Sequence, residues 1–295
     1  MTPARARLLV LVTSVLFSTG GAAIKACTLG SWQVACLRSG VASLVLAACV
    51  PAARRRPDRA TLLVSAAYAA TVILFVTATK LTTAANAIFL QSTAPLWLLL
   101  LGPLLLHERV RRRDLLVMGI VACGLVLVLL GVERPQVSAP DPAAGNAFAL
   151  ASGLTFALLL AGMRWLGARG SGSMPAVLQG NVLACLVALP FALPLPHLSA
   201  ADAGVLVFLG TVQIGLAYAL LCTALPHVPA LTASLLLMLE PALNPLWTWC
   251  LHGEVPSALA VPGGLLILAA CVAQALPGRA ARAAAAAADN EPLSG

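Results

Sequence analysis

Charge is scarce in this sequence. Only 9% of its 295 residues are Asp, Glu, Lys or Arg, and just 10 of them are acidic, against about a quarter charged in an ordinary soluble domain. That scarcity excludes a water-soluble fold, because 60% of the chain is apolar and the few polar residues are not enough to cover it. Alternating strands of the kind a membrane barrel requires are also missing. No H-E-x-x-H, no G-x-S-x-G and no mid-span acidic pair occurs, so an intramembrane enzyme lacks its nucleophile, base or metal cluster. The eight cysteines, Cys27, Cys36, Cys49, Cys123, Cys185, Cys222, Cys250 and Cys271, form no C-x-x-C pair and read as small packing residues. A bridge among Cys27, Cys36 and Cys250 is the disulfide their placement allows. His107, His197, His227 and His252 fall at the ends of apolar runs without ligand spacing, so neither a metal nor another cofactor is expected.

What the chain does have is long apolar runs. Read between charge clusters and Pro/Gly breaks, they predict ten helices near 8–27, 32–51, 61–79, 84–106, 114–132, 143–166, 175–195, 202–222, 229–251 and 258–276. Each is close to the roughly 20 residues that cross a hydrocarbon core of about 30 Å with their own backbone satisfied. The expected fold class is an all-α membrane protein, with the lipid bilayer as its solvent. Arg5 and Arg7 ahead of an apolar run imitate a signal peptide, but the run is long for a signal core and is assigned as the first helix. Residues 277–295 read as a flexible cytoplasmic tail.

Basic residues set the orientation. Arg5 and Arg7, Arg54 to Arg56 with Arg59, Arg109 with Arg111 to Arg113, Arg164 with Arg169, and Arg279 with Arg282 all fall on one side of a ten-helix chain, whereas Lys80 and Arg134 fall on the other. The positive-inside rule then places both termini in the cytoplasm, with the inner membrane of a bacterial cell as the location. Topology alone accounts for these clusters, so a nucleic-acid partner is not expected.

An internal repeat organises the rest. An offset of 146 residues carries Ala84 onto Ala230, Ala87 onto Ala233, Pro95 onto Pro241 and Glu108 onto Glu254. The repeats are residues 8–132 and 143–276, five helices each. Because five is odd, the second enters from the opposite face, giving an inverted-topology repeat of the kind that supports alternating access. Pro95 and Pro241 each remove a backbone hydrogen bond, so the fourth and ninth helices are expected to bend there, as hinges. A simple membrane-helix kink is the blander reading of either proline alone.

Polar residues inside the spans mark the candidate site, since lipid disfavours them. Glu240 is the only acidic residue well inside a predicted span, and a charge at that depth costs about 2.5–3.5 kcal/mol on the insertion scale. Three outcomes stay open for it: protonation, pairing with Arg38 or Lys25, or recognition of a cationic group on a cargo. Asn244 lies one turn on, and Asn86 and Gln213 are further polar residues within the spans, while Gln91, Asn244 and Tyr218 are large enough to hydrogen-bond a carboxylate or amine. Ser14 stands near Phe17 in the first helix, and Trp97 offers a stacking surface. Arg38 either contacts an anion or snorkels to the outer surface.

These residues carry a family resemblance. Leu81 to Ala85, Pro95-Leu96 and Leu106-His107-Glu108-Arg109, repeated as Ala217-Tyr218, Ala233-Ser234, Pro241 and Leu251-His252-Gly253-Glu254, resemble the signature of the drug/metabolite transporter superfamily, EamA type. Arg38 and Lys25 match its second-helix arginine and first-helix lysine. The resemblance implies two inverted repeats around a central cavity and export of small metabolites, amino acids foremost, with the superfamily's aromatic amino-acid exporters close in length and pattern. The superfamily also includes carriers of drugs, sugars and nucleotide sugars. Protons are the coupling ion if Glu240 exchanges them, and the protein is a facilitator if that residue only hydrogen-bonds; a monomer or weak dimer is expected, and Glu108 and Glu254 are expected to hold helix ends rather than touch cargo. A non-transporting sensor or scaffold is the alternative from another class.

Overall fold

The computed structural model describes residues 1–82, 84–108, 110–130, 140–195, 198–252 and 259–275. Among them there is no strand. The helices are α1 (Pro3–Ser18), α2 (Gly20–Ala26), α3 (Ser31–Cys49), α4 (Arg59–Leu81), α5 (Ala84–Gln91), α6 (Ala94–Leu101), α7 (Arg112–Leu130), α8 (Pro142–Ala168), α9 (Met174–Ala192), α10 (Ala200–Phe208), α11 (Ala217–Ala224), α12 (Ala230–Leu237), α13 (Leu239–His252) and α14 (Ala260–Ala275). A π-helical turn, Gly102–Leu106, follows α6, and a π-helical stretch, Leu209–Leu216, joins α10 to α11. Arg109, Arg134, His197, Glu254 and the tail 277–295 lie outside the described residues.

Seven stretches among the described residues are long and apolar enough to cross a bilayer: Pro3–Ala26, Ser31–Cys49, Arg59–Leu81, Asn86–Leu106, Pro142–Ala168, Met174–Ala192 and Ala200–His227. Ala230–Asn244 and Val261–Ala270 are apolar but shorter. Large side chains such as Leu44, Leu63, Leu104 and Leu116 point outward at 70–73% exposure, which water would penalise and lipid tails welcome. This is a multi-pass membrane protein.

Polar capping residues start the helices where orphan N–H groups need acceptors. Asp58 accepts from the Thr61 N–H at 2.7 Å ahead of α4, and Ser199 from the Asp202 N–H at 3.0 Å ahead of α10. Cross-helix contacts sort the connections into two ends. At one, Arg164 Nε donates to Glu108 Oε1 at 2.9 Å and Ala230 N–H to Glu108 Oε2 at 2.9 Å, so this carboxylate holds the start of α12 as well as the arginine of α8. Reaching it requires His107 to adopt a left-handed backbone, φ 54°. At the other end, Lys25 Nζ donates to the Thr82 carbonyl, Lys80 Nζ to the Cys27 carbonyl and Thr28 to Asp202.

Helices from the two ends of the chain interleave: α4 packs on α8 and α9, α3 on α9, α7 on α14, and α1 on α11, α12 and α13. Small residues permit the closest crossings, as is usual where helix association rests on van der Waals contact. A Cβ at Gly180 would lie 2.6 Å from the Tyr68 ring, and one at Gly162 would lie 2.6 Å from Val64. Cys27 and Cys36 are free thiols, and the sulfur nearest Cys36 belongs to Cys185, 3.6 Å away across the α3–α9 crossing.

Several spans are interrupted. The first breaks at Thr19, which the apolar pattern does not announce. The fourth breaks at Ser92 and Thr93 and the ninth at Met238, so each interruption precedes its proline rather than falling on it. The reason is steric. Pro95 and Pro241 sit in the first turns of α6 and α13, where a missing N–H costs nothing and the clash with the preceding turn is avoided by ending that turn. The 146-residue offset carries both bounds of α5, Ala84 and Gln91, onto those of α12, Ala230 and Leu237.

Gly180→Ala is expected to destabilise the protein by about 1–3 kcal/mol through overpacking against Tyr68. Gly119→Ala, where an added Cβ meets nothing within 4 Å, serves as the control and should be neutral or slightly stabilising. Thermal unfolding of the two variants in one detergent measures the difference.

Candidate functional site

The interruptions converge on one place. A central cavity of about 40 Å³ is lined by Phe17, Arg38, Thr71, Val72, Phe75, Gln91, Phe156, Gln213, Ile214, Tyr218 and Glu240. Phe17 stands two residues before the Thr19 break, Gln91 ends α5, Glu240 begins α13, and Gln213, Ile214 and Tyr218 lie in or beside the π-helical stretch. Irregular backbone at membrane depth is tolerated where it borders a cavity, and π-helical segments recur at functional sites. The volume holds a water or two.

Aromatic rings form one wall. Tyr218 packs on Phe17 at 5.0 Å between centroids and on Tyr68 at 4.8 Å, the second edge-on. The Tyr68 hydroxyl is held from behind by Asn181 Nδ2 at 2.9 Å. Gln91 Nε2 donates to Ser152 Oγ at 2.7 Å, and that hydroxyl donates to the Thr71 carbonyl, which anchors the glutamine to α4 and α8. Gln213 Oε1 is buried without a partner.

The charges decide the character of the site. Arg38 is 3% exposed, so it does not snorkel, and its Nε and Nη1 have no hydrogen-bond partner. Glu240 lines the same cavity, yet among the described residues no ion pair joins it to Arg38 or to Lys25, whose Nζ is held by the Thr82 carbonyl. Burying a lone charge costs several kcal/mol unless a partner arrives. A basic and an acidic side chain thus line one small aromatic-walled space without pairing with each other among the described residues.

Five of the expected site residues meet at this cavity: Glu240, Arg38, Gln91, Tyr218 and Phe17. Ser14 instead donates to the Leu237 carbonyl at 2.9 Å, satisfying backbone freed where α12 ends. Asn244 is buried beside Gly21, with its Oδ1 3.1 Å from where a Cβ would be. Asn86 donates to Thr82 Oγ1 near the helix end. Trp97 packs against the apolar core with its indole N–H unpartnered. These four do not line the cavity, so the polar patch expected from Glu240 and Asn244 is split. Thr71, Val72, Phe75 and Phe156 were not expected; the aromatic pair lies in ordinary apolar runs. Tyr68 and Asn181, both polar and mid-span, carried a signal that span-by-span reading passed over.

A model of the EamA-like transporter family matches residues 4–130 and 143–274. The chain belongs to this family, within the drug/metabolite transporter superfamily. It is similar to the pseudopaline exporter CntI of Pseudomonas aeruginosa, 27% identical over 194 residues that cover 64% of this chain and 65% of that protein. It is also similar to an uncharacterized protein of the same bacterium, 33% identical over 182 residues, covering 58% of this chain and 60% of the relative. The chain thus spans less than two thirds of the length of these curated relatives. A solved structure described only as the crystal structure of a protein superposes with a TM-score of 0.74 at 20% identity, over 91% of this chain and 95% of the other, which shows the fold. In this EamA-like transporter, the repeat read from prolines and glutamates corresponds to the two matched segments.

Because Arg38 is buried with its Nε and Nη1 unpartnered among the described residues, Arg38→Met is expected to stabilise the folded protein by about 1–4 kcal/mol while abolishing cargo-induced stabilisation. Thermal unfolding with and without amino acids reads both effects, and a destabilised variant would show that Arg38 already has a structural counter-charge.

Proposed function

We propose that this EamA-like transporter exports small zwitterionic metabolites, amino acids foremost and aromatic ones among them, across the bacterial inner membrane. One observation carries the reading: Arg38 and Glu240, opposite in charge and unpaired with each other, line the same aromatic-walled cavity. A guanidinium fork binds a carboxylate through charge-assisted hydrogen bonds. Glu240 suits an ammonium, and Phe17, Phe75, Phe156 and Tyr218 suit an apolar or aromatic side chain. The exporter relative supports outward transport, as pseudopaline export is the activity in its name.

The transport cycle follows from the architecture. Adding α7, α12 with α13, and α14 to the seven long stretches makes ten spans, five in each matched segment. The Arg-rich end is the cytoplasmic one by the positive-inside rule. Since the first segment begins at that end and the second begins at the other, the repeats are inverted, which supports alternating access with the halves rocking about the interrupted fourth and ninth spans. Zwitterion binding offsets the cost of the buried Arg38 charge and of the cavity-lining Glu240 carboxylate only while the cavity is occupied, and protonation of Glu240 offsets its share in the empty carrier. Transport is therefore coupled to protons through this carboxyl, and a monomer contains the complete site.

Counterflow of labelled phenylalanine in proteoliposomes tests the reading. Glu240→Gln is expected to cut the rate about tenfold or more, since a charge-assisted hydrogen bond is worth about 1.5–3 kcal/mol, and to remove the response to a pH gradient. A variant that still responds to the gradient takes Glu240 out of the coupling, and stabilisation by neutral sugars or nucleosides in place of amino acids would replace the cargo class.

A further inference from the structure

The first membrane span ends in a piece that is held differently from the rest. α1 closes at Ser18, Thr19 turns its hydroxyl back onto the Leu16 carbonyl at 2.7 Å, and α2 continues for only 7 residues, Gly20–Ala26. Its inner face is nearly smooth. A Cβ at Gly20 would lie 2.7 Å from the amide of Gln213, which lines the central cavity, and one at Gly21 would lie 2.9 Å from Ile88 and 3.1 Å from Asn244 Oδ1. The two glycines let α2 lie flat against the cavity wall, and they also leave no side chain there to interlock with its neighbours. In the whole of α2 only Ile24 carries a large apolar side chain.

Polar contacts just past its far end supply the hold. The Cys27 carbonyl accepts from Lys80 Nζ at 2.7 Å, and the Thr28 N–H and hydroxyl donate to the two carboxylate oxygens of Asp202 at 2.8 and 2.7 Å. Asp202 is buried, so these charge-assisted bonds act away from water, where they are stronger. They also cross the repeat, since Thr28 lies in the first family-matched segment and Asp202 in the second. Segments with few interlocking apolar contacts are the ones that open at low free energy.

We infer that α2 is a gate: it swings about Thr19 and Gly20 and closes the central cavity from the end opposite Glu108 and Arg164, with Thr28 and Asp202 as its latch. A gate presupposes passage through the central cavity, so it rests on the function proposed above, and its test has one arm that needs no cargo.

That arm is hydrogen–deuterium exchange of the full-length protein in nanodiscs, comparing residues 20–28 with α1 and α4. Asp202→Asn removes the charge of the latch and is expected to raise exchange in 20–28 about tenfold or more, with α1 and α4 unchanged. Asp58→Asn makes the same charge change at the opposite end, where Asp58 caps α4, and is expected to leave 20–28 as in wild type. The second arm replaces the latch by a removable bond: Thr28→Cys and Asp202→Cys, with Cys27→Ala to prevent mispairing, are oxidised in proteoliposomes. Oxidation is expected to stop counterflow of labelled phenylalanine and a reductant to restore it, while Cys27→Ala alone is insensitive. The gate is overturned if 20–28 stays protected in Asp202→Asn, if the rise spreads equally over α1 and α4 as in general destabilisation, if Asp58→Asn matches it, or if the cross-linked protein still exchanges cargo. A local rise in exchange without any counterflow by wild type would instead sink the cargo reading and leave the hinged α2 standing.

Discussion

A carbonyl that loses its N–H partner inside hydrocarbon has no water to turn to, and much of this structure answers that constraint. Interrupted spans free backbone groups, and side chains meet some of them: Ser14 of α1 reaches the Leu237 carbonyl where α12 ends, and Thr93 bonds the Leu90 carbonyl of its own turn at the break after α5. The polar residues of the spans accordingly divide into two groups. One repairs the breaks and is consumed by doing so. The other, Arg38, Gln213 and Glu240 above all, is left over around the central cavity, and the proposed recognition of cargo rests on this leftover group.

How far this arrangement can be read from residues alone depends on the range of the signal. The helical class, the paired prolines and the lone mid-span acid are local features, visible in composition and spacing. The repeat is legible because Pro95 and Pro241 share an offset that also carries the bounds of α5 onto α12. The location of the breaks is less so: a proline shows that a turn must end nearby, but only packing decides that it ends at Ser92 or Met238, and nothing local marks Thr19. Which polar side chains remain unspent is a question of partners. Ser14 and Glu240 are both polar residues in apolar helices, yet Ser14 meets a carbonyl 223 residues away and no ion pair joins Glu240 to another described residue. The Tyr68–Asn181 contact, 113 residues apart, is invisible for the same reason.

Arg38 and Glu108 illustrate two uses of charge in one chain. Glu108 is matched on both oxygens, by a guanidinium and a backbone N–H, and its electrostatic energy is spent on holding three elements together at one end of the molecule. Arg38 is matched on neither its Nε nor its Nη1 among the described residues, and under the proposed function an entering carboxylate supplies the missing partner. Natural proteins commonly accept lower stability at the residues that do the binding, and the proposed role of Arg38 places it in that group.

The interleaving of α4 with α8 and α9, of α3 with α9, and of α7 with α14 bears on how the chain is made. During synthesis the early helices leave the ribosome long before their packing partners exist, with grooves such as the one that Tyr68 later fills against Gly180 lined only by lipid. Early spans must wait in the membrane as loosely associated rods, and the mature bundle closes only when translation of the last helices is nearly complete.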